Sequence, residues 1–80
     1  MDKNSALELL QNQFRSILND DSIVLTLETT EEDVDKWDSL FQAQLVTNLE
    51  NMLGIKFALR EILSWESIDE IAESIVDHTA

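Results

Sequence analysis

Residues 37–54, WDSLFQAQLVTNLENMLG, specify a complete helix, and a short chain has little freedom once that helix forms. Leu45, Val46, Leu49, Met52 and Leu53 recur at three- and four-residue spacing, which makes one apolar stripe on a helix of about four turns. Asp38 and Ser39 are both good N-cap residues, and Ser39 with Gln42 fits an S-x-x-Q capping box. Gly54 stands where a left-handed residue would stop the helix. A start signal, a periodic body and a stop signal therefore agree. The buried stripe requires other apolar faces to pack against it.

The flanking sequence supplies them. Residues 4–18 form a first helix with Leu7, Leu10, Phe14, Ile17 and Leu18 on one face, Ser5 and Glu8 as a capping box, and Asn19 closing the last turn. Residues 22–36 read differently: Ile23, Leu25 and Leu27 alternate with Val24 and Thr26 in a strand pattern. A lone strand has nothing to pair with, so the segment is expected as an extended loop lying across the helices, with a short helical turn at Thr30–Asp33. Residues 57–63 give a short third helix carrying Phe57, Leu59, Ile62 and Leu63. Ser64 or Ser67 caps a fourth; Ser67 with Glu70 is a capping box, and Ile68, Ile71, Ala72, Ile75 and Val76 form its buried stripe. The expected fold is all-α, a single domain over residues 1–80, with three main helices and one short helix around one small core.

Composition narrows the function. Without cysteine there is no disulfide framework, thiolate metal site or cysteine nucleophile. No apolar run approaches the roughly 20 residues of a membrane span, and MDKNSALELL lacks a signal peptide's pattern. A cytoplasmic protein without a membrane role is expected, and the start at Met1 points to a free-standing one. Seventeen Asp and Glu against five Lys and Arg give a net charge of −12, which repels nucleic acid and steers basic partners inward. No catalytic constellation is present. The single histidine, His78, lies far along the chain from Ser39, at a helix end where it complements the dipole or sits in solvent. No Gly-rich phosphate loop or His/Cys ligand cluster occurs, so no metal site is expected. The acids Asp33, Asp35 and Asp38 do not make a calcium loop. Counting from Asp33, Trp37 falls where an oxygen ligand is needed, Asp38 where glycine is needed and Gln44 where the bidentate Glu is needed.

Taken by itself, Ser39 reads as a helix cap. In the context of the whole chain, Asp38-Ser39-Leu40 at a helix start resembles the attachment motif of acyl carrier proteins. The resemblance extends over most of the sequence: one helix and a long acidic loop before the motif, two helical segments after it, and the placements of Leu45-Val46, Leu49-Glu50 and Gly54-Ile55-Lys56-Phe57. It implies a small four-helix bundle with a long first loop, modified on Ser39 by a 4'-phosphopantetheine arm taken from coenzyme A. Asp38 would orient Ser39 and bind the magnesium ion used by the modifying enzyme. The arm's thiol would hold acyl groups as thioesters, so the protein would be a carrier and a phosphoprotein rather than an enzyme. Its partners would be a phosphopantetheinyl transferase and acyl-loading and acyl-processing enzymes, met as a monomer. An apolar cargo would be sheltered among Leu45, Val46, Ile62 and Ile71.

The sequence also departs from the family pattern. Fatty-acid carriers have acids on the exposed face of the helix after the serine, whereas here Phe41, Gln42, Gln44, Thr47, Asn48 and Asn51 occupy much of that helix and only Glu50 is acidic. Lys36-Trp37 replaces the small residues usual before the Asp. Partner recognition is accordingly expected through Trp37, Leu40, Phe41, Gln44 and Glu50, with a neutral, partly apolar contact at Leu40 and Phe41; for Trp37 and Phe41 the alternative is packing on the loop or the fourth helix. The departure points away from general fatty-acid synthesis towards a specialised polyketide, amino-acid-derived, lipid-tailoring or polysaccharide route. Two alternatives stay open: a peptidyl or aminoacyl carrier, and an unmodified acidic helical interaction module.

Overall fold

The computed structural model describes residues 1–80 and contains helices α1 (Lys3–Leu18), α2 (Ser39–Leu53), α3 (Leu59–Ser64) and α4 (Ile68–Thr79), with one 3-10 turn at Glu31–Asp33 in the first loop. The all-α, four-helix expectation holds, and there is no strand. The apolar stripes of α1, α2 and α4 meet in one core: Ala6, Leu10 and Phe14 from α1, Leu45 and Leu49 from α2, and Ile68, Ile71, Ala72 and Ile75 from α4. Met52, expected on the buried stripe, is exposed, and Leu7, Ile17, Leu18, Leu53 and Val76 are half-buried at its margin.

Helix ends differ from the expected ones by local chemistry. The α1 cap is Asp2, whose carboxylate accepts the Ser5 N–H at 2.8 Å, so the Ser5/Glu8 box is not formed. At the other end Asn19 adopts the left-handed conformation (φ 52°), and the N–H of Asp20 reaches the Arg15 carbonyl at 3.0 Å. Gly54 does the same for α2 at φ 66°. Helix α3 starts two residues later than expected because Phe57 and Ala58 are held extended. The Phe57 N–H donates to Glu50 Oε2 (2.9 Å) and the Ala58 N–H to Glu61 Oε1 (3.1 Å).

The alternating segment is a loop, and the reason is that its backbone bonds go to helices. Leu25 N–H donates to Gln11 Oε1 (2.9 Å), and Arg15 Nε donates to the Ile23 carbonyl (2.7 Å). The Leu27 and Thr29 carbonyls accept the N–H groups of Asp69 and Ile68, both at 2.9 Å. The loop thus caps the first turn of α4 in place of the Ser67 hydroxyl, which instead meets Glu70 Oε1 at 3.3 Å. Leu25 is buried under it, and the loop delivers the chain to Trp37 at the top of α2.

Candidate functional site

Three aromatic residues fix the turn that opens α2. Trp37 and Phe41 flank the turn and both pack on Phe14 of α1, edge-on, with ring centroids 5.2 and 4.7 Å apart. Trp37 is 5% and Phe41 4% exposed. The expectation that these two offer a partner contact is therefore corrected: large rings beside a small core bury more area than they would at the surface. Their burial positions what lies between them. Trp37 Nε1 donates to Gln42 Oε1 at 2.8 Å, and Gln42 Nε2 reaches the Ile62 carbonyl at 3.3 Å, tying the turn to α3.

Asp38, not Ser39, caps α2. Its Oδ1 accepts the Phe41 N–H at 2.8 Å, and its carbonyl accepts the Gln42 N–H at 2.9 Å. Gln42 is engaged with Trp37, so the Ser39/Gln42 capping box expected from sequence is absent. Ser39 is the first residue of the helix, exposed, with a hydroxyl that capping does not use. The N–H groups of Ser39 and Leu40 belong to the first turn and have no intrahelical acceptor, so the positive end of the helix dipole lies beside that hydroxyl.

An open groove of about 550 Å³ begins at Ser39. The cap Asp38 with Ser39, Gln42, Ala43 and Val46 of α2 line one side and Leu59, Ile62 and Leu63 of α3 the other, with Trp65 and Glu31 also in the lining. Of the four residues expected to shelter an apolar chain, Val46 and Ile62 line this groove, whereas Leu45 and Ile71 are fully buried in the core. The gaps in the lining are filled by Ala43, Leu59 and Leu63 instead. Short helix α3 forms a wall without a buried stripe of its own: Leu59 is 70% and Leu63 74% exposed. Sequence pattern marks these leucines as apolar but does not place them, because so short a segment gives no clear period.

The other expected contact residues lie as follows. Leu40 is 78% exposed next to Ser39, and Gln44 is exposed one turn further along α2. Glu50 is half-buried and committed to the Phe57 N–H, with Lys56 Nζ at 3.9 Å, so it is not a free acid for a partner. His78 is neither a simple dipole partner nor in open solvent. Its Nε2 lies 3.0 Å from Glu61 Oε1 and its ring meets Phe57 edge-on at 5.1 Å, clasping α3 to the end of α4. Partial burial pushes the Glu61 carboxyl up, but hydrogen bonds from His78 and the Ala58 N–H outweigh it and hold the group below the ordinary glutamate range.

Together these features define a helical bundle that presents an exposed serine at the start of its second helix, beside an open apolar groove. The fold matches the solution structure of a holo acyl carrier protein from Geobacter metallireducens at 40% sequence identity and a TM-score of 0.84, covering 91% of this chain and 84% of that one. No family model matches the chain, and no curated protein matches it either. At that identity and coverage the chain belongs to the acyl carrier protein family. The fold is that of a carrier rather than of an enzyme, and none of its helices is long and apolar enough to cross a membrane.

Proposed function

We propose that Ser39 bears a covalent 4'-phosphopantetheine arm and that the protein carries acyl groups on it between the enzymes of a specialised biosynthetic pathway. The observation that carries this reading is the division of labour at the top of α2: Asp38 takes the cap and leaves the Ser39 hydroxyl exposed at a helix N-terminus. A phosphodiester formed there gains from the first-turn N–H groups. In the attachment step the Ser39 Oγ–P bond forms, a phosphoanhydride bond of coenzyme A breaks, the adenosine-bisphosphate half leaves and the hydroxyl proton is released. Asp38 is exposed, and Oδ2 is the carboxylate oxygen its cap leaves over for the magnesium ion of the modifying enzyme. The similar Geobacter protein is a holo form, which supports the same cofactor here. When bound, the arm supplies a thiol that holds an acyl group as a thioester. The protein's part is presentation: Trp37, Phe41 and Phe14 hold the serine in place, and the groove receives apolar cargo.

The partners in this reading are a phosphopantetheinyl transferase and the enzymes that load and process the acyl group, met by a monomer in the cytoplasm. Helix α2, whose single acid is already engaged, supports a specialised route over general fatty-acid synthesis. Loading tests the carrier function. Modified protein should accept an acyl group in a bond that neutral hydroxylamine cleaves, whereas a folded, modified protein that accepts none from any acyl-coenzyme A offered would overturn it.

A further inference from the structure

The groove between α2 and α3 holds a single side-chain hydrogen-bond donor with capacity to spare. Gln42 is half-buried in its lining, about one helical turn beyond Ser39. The orientation of its amide follows from Trp37. An indole N–H only donates, so Gln42 turns Oε1 to Trp37 Nε1 (2.8 Å) and its NH2 group the other way, to the Ile62 carbonyl on α3 (3.3 Å). Trp37 is buried and needs that acceptor, which pins the amide in place. Nε2 carries two hydrogens, and the Ile62 carbonyl takes one of them while also accepting the Trp65 N–H at 3.3 Å. The second hydrogen has no acceptor within the protein. The other polar residues of the lining cannot stand in for it. Glu31 and Asp38 present carboxylates, which accept, and the Ser39 hydroxyl is consumed by attachment. The Trp65 indole N–H is committed to Ser74 Oγ at 2.9 Å.

We infer that Gln42 selects the cargo: its Nε2 donates to an oxygen that the acyl group carries beyond the thioester, so the groove holds β-hydroxyacyl and β-oxoacyl groups in preference to saturated ones. This deepens the carrier reading and rests on Ser39 being the attachment site. Gln42 stands at the end of the groove that begins at Ser39, while Val46, Leu59 and Leu63 make the rest apolar. The matching cargo is therefore a hydrocarbon chain with one oxygen near its thioester end. A saturated chain laid there faces the amide with methylene groups, and a donor covered without an acceptor loses its hydration uncompensated. An oxygenated chain supplies that acceptor and leaves the Trp37 bond intact.

The test loads the intact, isotope-labelled protein with a broad-specificity phosphopantetheinyl transferase from coenzyme A and from its hexanoyl, β-hydroxyhexanoyl and β-oxohexanoyl thioesters. Intact mass confirms each product. In wild type the Gln42 side-chain amide resonances should shift in the two oxygenated forms and stay, with hexanoyl, near their position in the unacylated form. Thermal melts add a second readout. Gln42→Met removes the amide, and Gln42→Glu keeps an acceptor for Trp37 while removing the donor. The melting temperature of the β-hydroxyhexanoyl form, measured against the hexanoyl form, should be about 4–8 °C more favourable in wild type than in either variant, the shift that one hydrogen bond makes in a domain of this size. A general loss of stability from the substitution cancels in this difference. Should a variant not fold, the wild-type resonances decide alone. An equal gap in wild type and variants overturns selection by Gln42 while leaving attachment at Ser39 intact. So do amide resonances that hexanoyl or the bare arm moves as far as the oxygenated groups do. Folded wild type that is modified from none of the four donors overturns both.

Discussion

Asp38 and Ser39 are adjacent residues of similar capping ability, and the structure gives them different work. Asp38→Ala should cost about 0.5–2 kcal/mol, the usual loss for a helix cap, whereas Ser39→Ala should change stability by no more than about 0.5 kcal/mol while abolishing modification. Urea denaturation of the two variants checks the contrast; equal losses would mean that Ser39 shares the cap. Sequence alone could not separate them, because both satisfy the same capping rule and only the structure shows that Asp38 takes the Phe41 N–H. The same blindness explains the aromatic residues. Their size announced a large buried area or a contact, and pattern could not choose between the two. A pH prediction belongs at this scale too. Glu61 is held below its ordinary range in the folded state, so its contribution is present above the unfolded value and is lost as pH falls through the folded one. Wild type should therefore unfold at a higher temperature than Glu61→Gln near neutrality, and the gap should close in acid. A gap that widens in acid would contradict the clasp with His78.

At the scale of elements, the helices were legible because each long one carries both a period and an end signal, and Gly54 and Asn19 close theirs in the left-handed conformation expected of them. Gly54→Ala should destabilise by about 1–2 kcal/mol through that conformation alone, since no neighbouring atom lies near the added methyl group. Thermal melts of Gly54→Ala and Gly54→Asn check this, with the asparagine variant expected to be the milder. What could not be read was where the first loop goes. Its alternation is real, but Ile23, Leu25 and Leu27 pack into the helical core rather than beside a neighbouring strand, and the Thr29 and Leu27 carbonyls end at Ile68 and Asp69. Leu25→Ala should accordingly cost about 2–5 kcal/mol, as for a buried helix leucine, because the loop is part of the core. A surface-like loss under 0.5 kcal/mol would show that the loop is only draped on the bundle.

Across the whole molecule, a small core leaves little stability to spare, and the wall that α3 forms is the part least tied to it. Helix α3 has no fully buried side chain and is held by the Gln42–Ile62 bond, the Glu61–His78 pair and the edge of Phe57. Hydrogen exchange should therefore be fastest in α3 and slowest in α1, α2 and α4, and equal protection throughout would contradict a movable groove wall. The central claim, attachment at Ser39, is tested most directly by intact mass after incubation with coenzyme A, magnesium and a broad-specificity phosphopantetheinyl transferase. Wild type should gain the mass of one phosphopantetheinyl group and folded Ser39→Ala none. Modification of Ser39→Ala, or none in folded wild type, would contradict the account.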